Sequence, residues 1–116
     1  MADLRSVLPL SRSLVHLLLA LQEGKRHGYA VKQRVEELSG GVVKMGPGTL
    51  YTTIQRAEDQ ALIRESTDRP PAGEDQSQRR YYELTDLGRE ALAAEVDRLG
   101  RFVAHARTAL SGASAK

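Results

Sequence analysis

The chain has no cysteine, no tryptophan and a single phenylalanine among its 116 residues. Without cysteine it can have neither a disulfide framework nor a thiolate metal site. The three histidines, His16, His27 and His105, share no ligand spacing, so the sequence predicts neither a metal site nor a cofactor.

Long hydrophobic runs are absent as well. The longest, from Leu14 to Leu21, is interrupted by His16 and is too short for a membrane span. No small-residue cleavage site follows it, so we expect no secretory signal and no membrane partner, and predict a cytoplasmic protein. A formal charge of +2 indicates nucleic-acid binding only if the basic groups cluster.

Patterns typical of enzymes are also missing. The sequence shows no nucleophile–base pair, no carboxylate dyad and no phosphate loop. The segment PGTLY at 47–51 has one internal glycine and no following lysine, so it is not a Walker loop. We therefore predict that the protein is not an enzyme and has no catalytic residues.

The most informative stretch is an acid-free segment, residues 39–57, which contains a short amphipathic helix starting at Pro47. Leu50, Ile54 and Ala57 share one face of this helix. The opposite face carries only hydrogen-bonding side chains: Thr49, Thr52, Gln55 and Arg56. Such a face can lie in a DNA major groove, while Lys44 and Arg56, which bracket the helix, favour a phosphate backbone.

Two helices are predicted before this segment. The first starts near Ser11, buries Leu14, Leu17, Leu18 and Leu21, and ends with Gly24 and the basic residues 25–27. The second runs from Gly28 to about Leu38 and is stopped by Gly40 and Gly41. Helices joined in this way are typical of a helix-turn-helix, although other three-helix cores share the pattern.

The region after the third helix predicts a β-hairpin. Its strands are Leu62–Asp68 and Arg79–Leu84, and the segment RPPAGEDQSQ at 69–78 forms the tip. Three helices followed by a hairpin make the winged-helix layout. Arg79 and Arg80 on the second strand, with Arg64 and Arg69 on the first, would meet phosphates there. For any one of these arginines, a solvated strand residue is an equally good interpretation.

A last helix follows Thr85, which caps it. Its apolar residues repeat as a heptad seam that favours packing against another chain: Leu92, Val96, Leu99, Val103, Ala106 and Leu110, with Phe102 one step off the seam. We therefore predict a mainly α fold with a small β-hairpin, a winged helix-turn-helix plus a C-terminal dimerisation helix. The expected division is 1–84 for DNA binding and 85–116 for the dimerisation helix and tail.

Three segments resemble the PadR-like transcriptional regulators of the short type, which carry one C-terminal helix. They are His27-Gly28-Tyr29, then Leu38–Gly41 followed by Pro47–Tyr51, and Arg80–Thr85 with Gly88. The resemblance covers roughly residues 14–110, and the order and spacing of the segments make it specific. It implies a winged-helix domain that binds double-stranded DNA, dimerisation through the last helix, and repression relieved by a small-molecule or protein signal.

Carried over by position, the resemblance places four residues in the recognition helix and two near the DNA backbone. The four are Thr49, Tyr51, Thr53 and Arg56, and the two are Tyr29 and Lys32. For Tyr51 and for one of Tyr81 and Tyr82, packing between wing and helices is the preferred interpretation, and DNA contact is the alternative. The chain departs from the family pattern with Gly46 for a capping serine, Thr52 for a proline and Ala61 for a glycine.

Two functional hypotheses follow from these observations. The first is a homodimeric repressor of its own or a neighbouring operon that recognises a palindromic operator. Since the family's drug-stacking tryptophan is missing, a stacking pocket between the last helices is not expected, although Phe102 could line a small apolar cavity. The second hypothesis, favoured by the moderate net charge, is a winged-helix module that binds another protein and has little affinity for DNA.

Overall fold

The computed structural model describes residues 4–66 and 80–113. Its α-helices and strands are, in chain order, α1 (Leu4–Val7), α2 (Arg12–Gln22), β1 (Arg26–His27), α3 (Gly28–Leu38), α4 (Pro47–Asp59), β2 (Ile63–Glu65), β3 (Tyr81–Leu84) and α5 (Asp86–Thr108), with a final π-type turn at Ala109–Ala113. The predicted hairpin tip at 69–78, which includes Arg69, and Arg79 at the start of the second predicted strand lie outside the described residues.

Helix α2 begins where the sequence predicts. The Ser11 hydroxyl caps it by accepting a hydrogen bond from the Leu14 N–H at 3.2 Å. Its predicted apolar stripe is confirmed, since Leu14, Leu17, Leu18 and Leu21 are all buried. The short helix α1 was not predicted; it buries Val7 in the same core.

The basic residues after α2 do not end that helix as predicted. Helix α2 stops at Gln22, and Arg26 and His27 form strand β1 instead. His27 then caps α3, because its Nδ1 accepts a hydrogen bond from the Ala30 N–H at 3.3 Å. One residue thus ends a strand and starts a helix, which fixes the direction in which α3 leaves the sheet.

The connector between α3 and α4 is held by both backbone and side chain. Gly40 and Gly41 have φ of 65° and 85°, which confirms the predicted left-handed stop after α3. The Ser39 hydroxyl then accepts a hydrogen bond from the Val43 N–H at 2.9 Å. Val43 and Met45 are buried in the core, so the start of α4 is anchored one residue before its N-cap, Gly46.

The wing, formed by strands β2 and β3, is part of a three-stranded antiparallel sheet in the order β1-β3-β2. Tyr82 on β3 lies opposite Arg26 on β1 and Glu65 on β2, and Leu84 lies opposite Ile63. Strands β2 and β3 lie within the predicted strands, and Leu62, Ser66 and Arg80 are outside β2 and β3; residues 67, 68 and 79 are not among the described residues. The third strand was missed because β1 contains only two residues.

Helix α5 packs its first turns into the core and extends its second half beyond it. Thr85 caps the helix by accepting a hydrogen bond from the Gly88 N–H at 3.0 Å, as predicted. Ala91, Leu92 and Glu95 are buried, so the core crosses the division expected at residue 84, which stays a prediction. The prediction that Leu92 lines a dimer seam is wrong, because its own domain covers the side chain.

Candidate nucleic-acid interface

Helix α4 presents two contrasting faces, as the sequence predicts. Ile54 and Ala57 are buried, and Leu50 packs against the same core. On the outer side, the residues that the sequence assigns to DNA contact are exposed: Thr49, Thr52, Gln55 and Arg56. The core therefore holds α4 by its apolar face and leaves a row of hydrogen-bonding groups open to solvent.

Thr53 does not belong to this outer row. Its side chain is 5% exposed, and its hydroxyl donates a hydrogen bond to the Thr49 carbonyl at 2.7 Å. The prediction that Thr53 contacts DNA is wrong, because residue 53 adjoins Ile54 on the buried side of the helix. Its hydroxyl is satisfied within α4 instead.

Two tyrosines border the outer face of α4. The side chains of Tyr51 on α4 and Tyr29 on α3 are 75% and 61% exposed, so neither ring is used in the core. The packing interpretation of Tyr51 is therefore wrong for the described chain. Tyr82, by contrast, is buried, and its burial raises the pKa of its hydroxyl. The Tyr81 ring meets that of His27 edge to face at 5.4 Å between centroids.

Several cations outside α4 are neutralised by neighbouring carboxylates. The N–O distances are between 2.5 and 3.0 Å for Arg26–Glu23, Lys32–Glu36, Arg34–Glu23, Arg34–Glu37, Arg64–Glu83, Arg89–Asp86 and Arg98–Glu95. The pair with Glu36 holds Lys32, whose Nζ also lies 5.9 Å from the centre of the Tyr29 ring. Arg64 is likewise held on the wing by Glu83.

The cations next to the outer face of α4 are different. Within the described ranges, Arg12, Lys44 and Arg56 form no ion pair with a carboxylate. Arg80 is exposed at the base of the wing, in the cleft that Tyr82 also lines. The unpaired guanidinium and ammonium groups are free to meet an external anion. Arg101 and Arg107, on the second half of α5, likewise form no ion pair with a carboxylate in the described ranges.

Two open clefts flank α4. One, of about 500 Å³, lies between α3, α4 and the wing and is lined by His27, Gly28, Tyr29, Leu50, Tyr51, Ile54, Arg80 and Tyr82. The other, of about 630 Å³, lies between the start of α2 and α4 and is lined by Ser11, Arg12, Ser13, Gly48, Thr49, Thr52, Thr53 and Arg56. Sequence reasoning missed the α2 side of this second cleft, because nothing in the pattern of α2 indicates that its first turn lies beside α4.

Asp59 lies close to the exposed polar residues of α4. The Gln55 amide donates a hydrogen bond to Asp59 at 3.2 Å, which leaves the Gln55 carbonyl oxygen as its available acceptor.

Among the described residues there is no group of three acidic, histidine or cysteine side chains that could hold a metal ion. None of the helices in the described ranges is both long and apolar enough to cross a membrane.

Three helices, a small sheet with a wing, and a projecting last helix define a winged-helix protein. Residues 17–94 match the transcriptional regulator PadR-like family. The chain belongs to this family, which confirms the resemblance found in the sequence.

A protein of transposon TN4556 from Streptomyces fradiae is 35% identical over 85 residues, which are 73% of this chain and 22% of the relative. The chain thus spans about a fifth of that relative's length.

Solved structures share the fold. A PadR-like regulator from Bacillus cereus superposes with a TM-score of 0.72 at 22% identity, covering 94% of this chain and 96% of its own. A PadR family regulator from Clostridium difficile gives 0.69 at 22% identity, covering 88% and 100%. PadR from Bacillus subtilis, solved in complex with operator DNA, gives 0.61 at 20% identity, covering 76% and 48%.

Proposed function

We propose that this transcriptional regulator is a homodimer that binds a palindromic operator in duplex DNA and represses transcription until a small molecule or another signal releases it. The observation that carries the proposal is the outer face of α4. It combines exposed hydroxyl, amide and guanidinium groups with bordering cations that have no carboxylate partner in the described chain.

The chemistry of this face fits DNA. Arginine and glutamine side chains make paired hydrogen bonds to base edges in the major groove, and threonine offers both a hydroxyl and a methyl group. Lys44, in the connector before α4, and Arg80, which lines the cleft between α3, α4 and the wing, are suited to phosphates, which position a protein on the duplex. The operator complex of the Bacillus subtilis relative supports the same use of the fold.

The far half of α5 supports the dimer. Val96, Phe102 and Leu110 are 52%, 65% and 85% exposed, and the half-buried Leu99 lies among them. The apolar repeat therefore continues past the point where the protein's own core ends. A second copy that covers this stripe would bury it and pair two α4 helices for two half-sites, with centres about 34 Å apart. The partner residues proposed are Val96, Leu99, Phe102, Val103, Ala106 and Leu110.

The test is a selection from random duplexes at low salt, followed by gel shifts on the enriched sequence. We expect an inverted repeat, and we expect Arg56→Ala to weaken binding at least tenfold while light scattering still shows a dimer. The matched control is Arg107→Ala, which removes the same charge from the far end of α5 and should change the affinity much less. Equal affinity of Arg56→Ala and the unaltered protein would refute the role of α4.

A further inference from the structure

The cleft between α2 and α4 has no acidic residue in its lining. It is walled by Arg12 and Ser13 on α2 and by Thr49, Thr52 and Arg56 on α4. The two helices contribute one arginine each, and neither guanidinium has a carboxylate partner in the part of the chain that the structure describes. The cleft is therefore an electropositive opening beside the proposed recognition helix.

The hydroxyl groups of the cleft are mostly unused. Ser11 caps α2 and Thr53 bonds to the Thr49 carbonyl. The hydroxyls of Ser13, Thr49 and Thr52, in contrast, make no hydrogen bond to any residue in the described ranges. Three free donors and two guanidinium groups around one opening match the acceptor oxygens of a phosphate group.

The backbone at the start of α2 adds to this match. Ser11 accepts two hydrogen bonds from the backbone of α2. Its hydroxyl accepts from the Leu14 N–H, and its carbonyl accepts from the Val15 N–H. The first-turn N–H groups of Arg12 and Ser13 precede these and have no acceptor within the helix. They point toward the helix N-terminus, where the aligned peptide dipoles favour an anion.

We propose that this cleft holds a phosphodiester of the DNA backbone, with Arg12 as the contact that positions α4 in its groove. The proposal rests on the proposed function and deepens it. Arg12 lies on α2, beside α4, and would hold the backbone, whereas Gln55, outside the cleft, faces the bases. The contact is therefore independent of sequence: Arg12 contributes to affinity for any duplex, and α4 supplies the discrimination.

The test measures the salt dependence of binding to a random-sequence duplex, for the unaltered dimer, Arg12→Ala, Arg12→Lys and the control Arg107→Ala. Loss of one phosphate contact reduces the slope of log K against log salt by about 0.9. Because the dimer carries two Arg12 side chains, Arg12→Ala removes two contacts, so between 50 and 200 mM salt it should lose about 12-fold less affinity than the unaltered protein. Arg12→Lys should keep most of the slope, because it keeps the charge.

The outcomes separate the two proposals. If the unaltered protein binds duplex and Arg12→Ala has the same slope, the cleft proposal is wrong and the proposed function stands. A loss seen on the selected operator alone would make Arg12 a base contact and overturn the backbone assignment. If the unaltered protein binds no duplex at low salt, both proposals fail. Thermal unfolding of each variant, monitored by circular dichroism, checks that the substitution has not changed the fold.

Discussion

Gly88 lies where the first turn of α5 meets the turn before β2, and substituting alanine there tests the packing of this junction. A Cβ at residue 88 would overlap the carbonyl oxygen of Leu62 and lie 3.0 Å from its carbonyl carbon. Both atoms belong to the backbone and cannot rotate away. The same junction holds the Thr85 hydroxyl, which donates to the Ala61 carbonyl at 2.6 Å, and the Thr85 N–H, which donates to the Leu62 carbonyl at 3.0 Å.

The expected loss is the sum of three effects. Forcing a methyl group into a packed site costs about 1–3 kcal/mol, and each hydrogen bond that lengthens costs about 1 kcal/mol more. The better helix propensity of alanine offsets up to about 1 kcal/mol. We therefore expect Gly88→Ala to lower the free energy of unfolding by about 3 kcal/mol.

Gly100 provides the matched control on the same helix. A Cβ there would meet no atom within 4 Å, so only helix propensity acts, and Gly100→Ala should raise the free energy of unfolding by about 1 kcal/mol. Urea unfolding followed by circular dichroism at one protomer concentration measures both changes, since the stability of a dimer depends on concentration. Equal effects of the two substitutions would refute the account of the Gly88 junction.

Three further predictions concern the backbone, a buried charge and the dimer. Ala61 has a φ of 62°, so Ala61→Gly should raise the free energy of unfolding by up to about 1 kcal/mol; a loss in urea unfolding would contradict this. Hydrogen bonds from Arg98 lower the pKa of the buried Glu95 carboxyl below its usual 4.5. The ionised carboxylate therefore stabilises the fold above pH 4.5, and this contribution should be lost as the pH falls through the lowered pKa. Acid titration of unfolding should show this loss, and Glu95→Gln should lack it. Leu99→Asp should give a monomer by light scattering. A persistent dimer would refute the prediction that the apolar repeat of α5 forms the dimer interface.

The parts of the fold that follow local rules could be predicted from the sequence. Several signals act through the neighbouring turn: the cap at Thr85, the stop at Gly40 and Gly41, and the start at Pro47. The starts of α2, α4 and α5 and the end of α3 were therefore placed correctly. Strand β1 was missed because two residues carry no periodicity, and their pairing depends on β3, more than fifty residues away. Helix α1, with four residues, is too short to show a pattern.

The errors in the candidate site concern which side chains the folded core covers and which helices it brings together. A heptad repeat does not tell whether an apolar side chain faces its own core or a partner, so Leu92 and Val96 have the same pattern but opposite environments, buried and 52% exposed. Thr53 was assigned to DNA contact by its position in the recognition helix, although it lies on the buried side of α4. Arg12 was missed because its place beside Arg56 arises only when α2 and α4 pack together.

The central claim is that the outer face of α4 reads an operator as part of a dimer. Selection from random duplexes at low salt, with the dimer as bait, tests it most directly. We expect an enriched inverted repeat whose half-site centres are about one helical turn apart, roughly 34 Å, and whose enrichment is lost with Arg56→Ala. Enrichment of no inverted repeat by a protein that remains folded and dimeric would contradict the claim and favour a protein-binding winged helix.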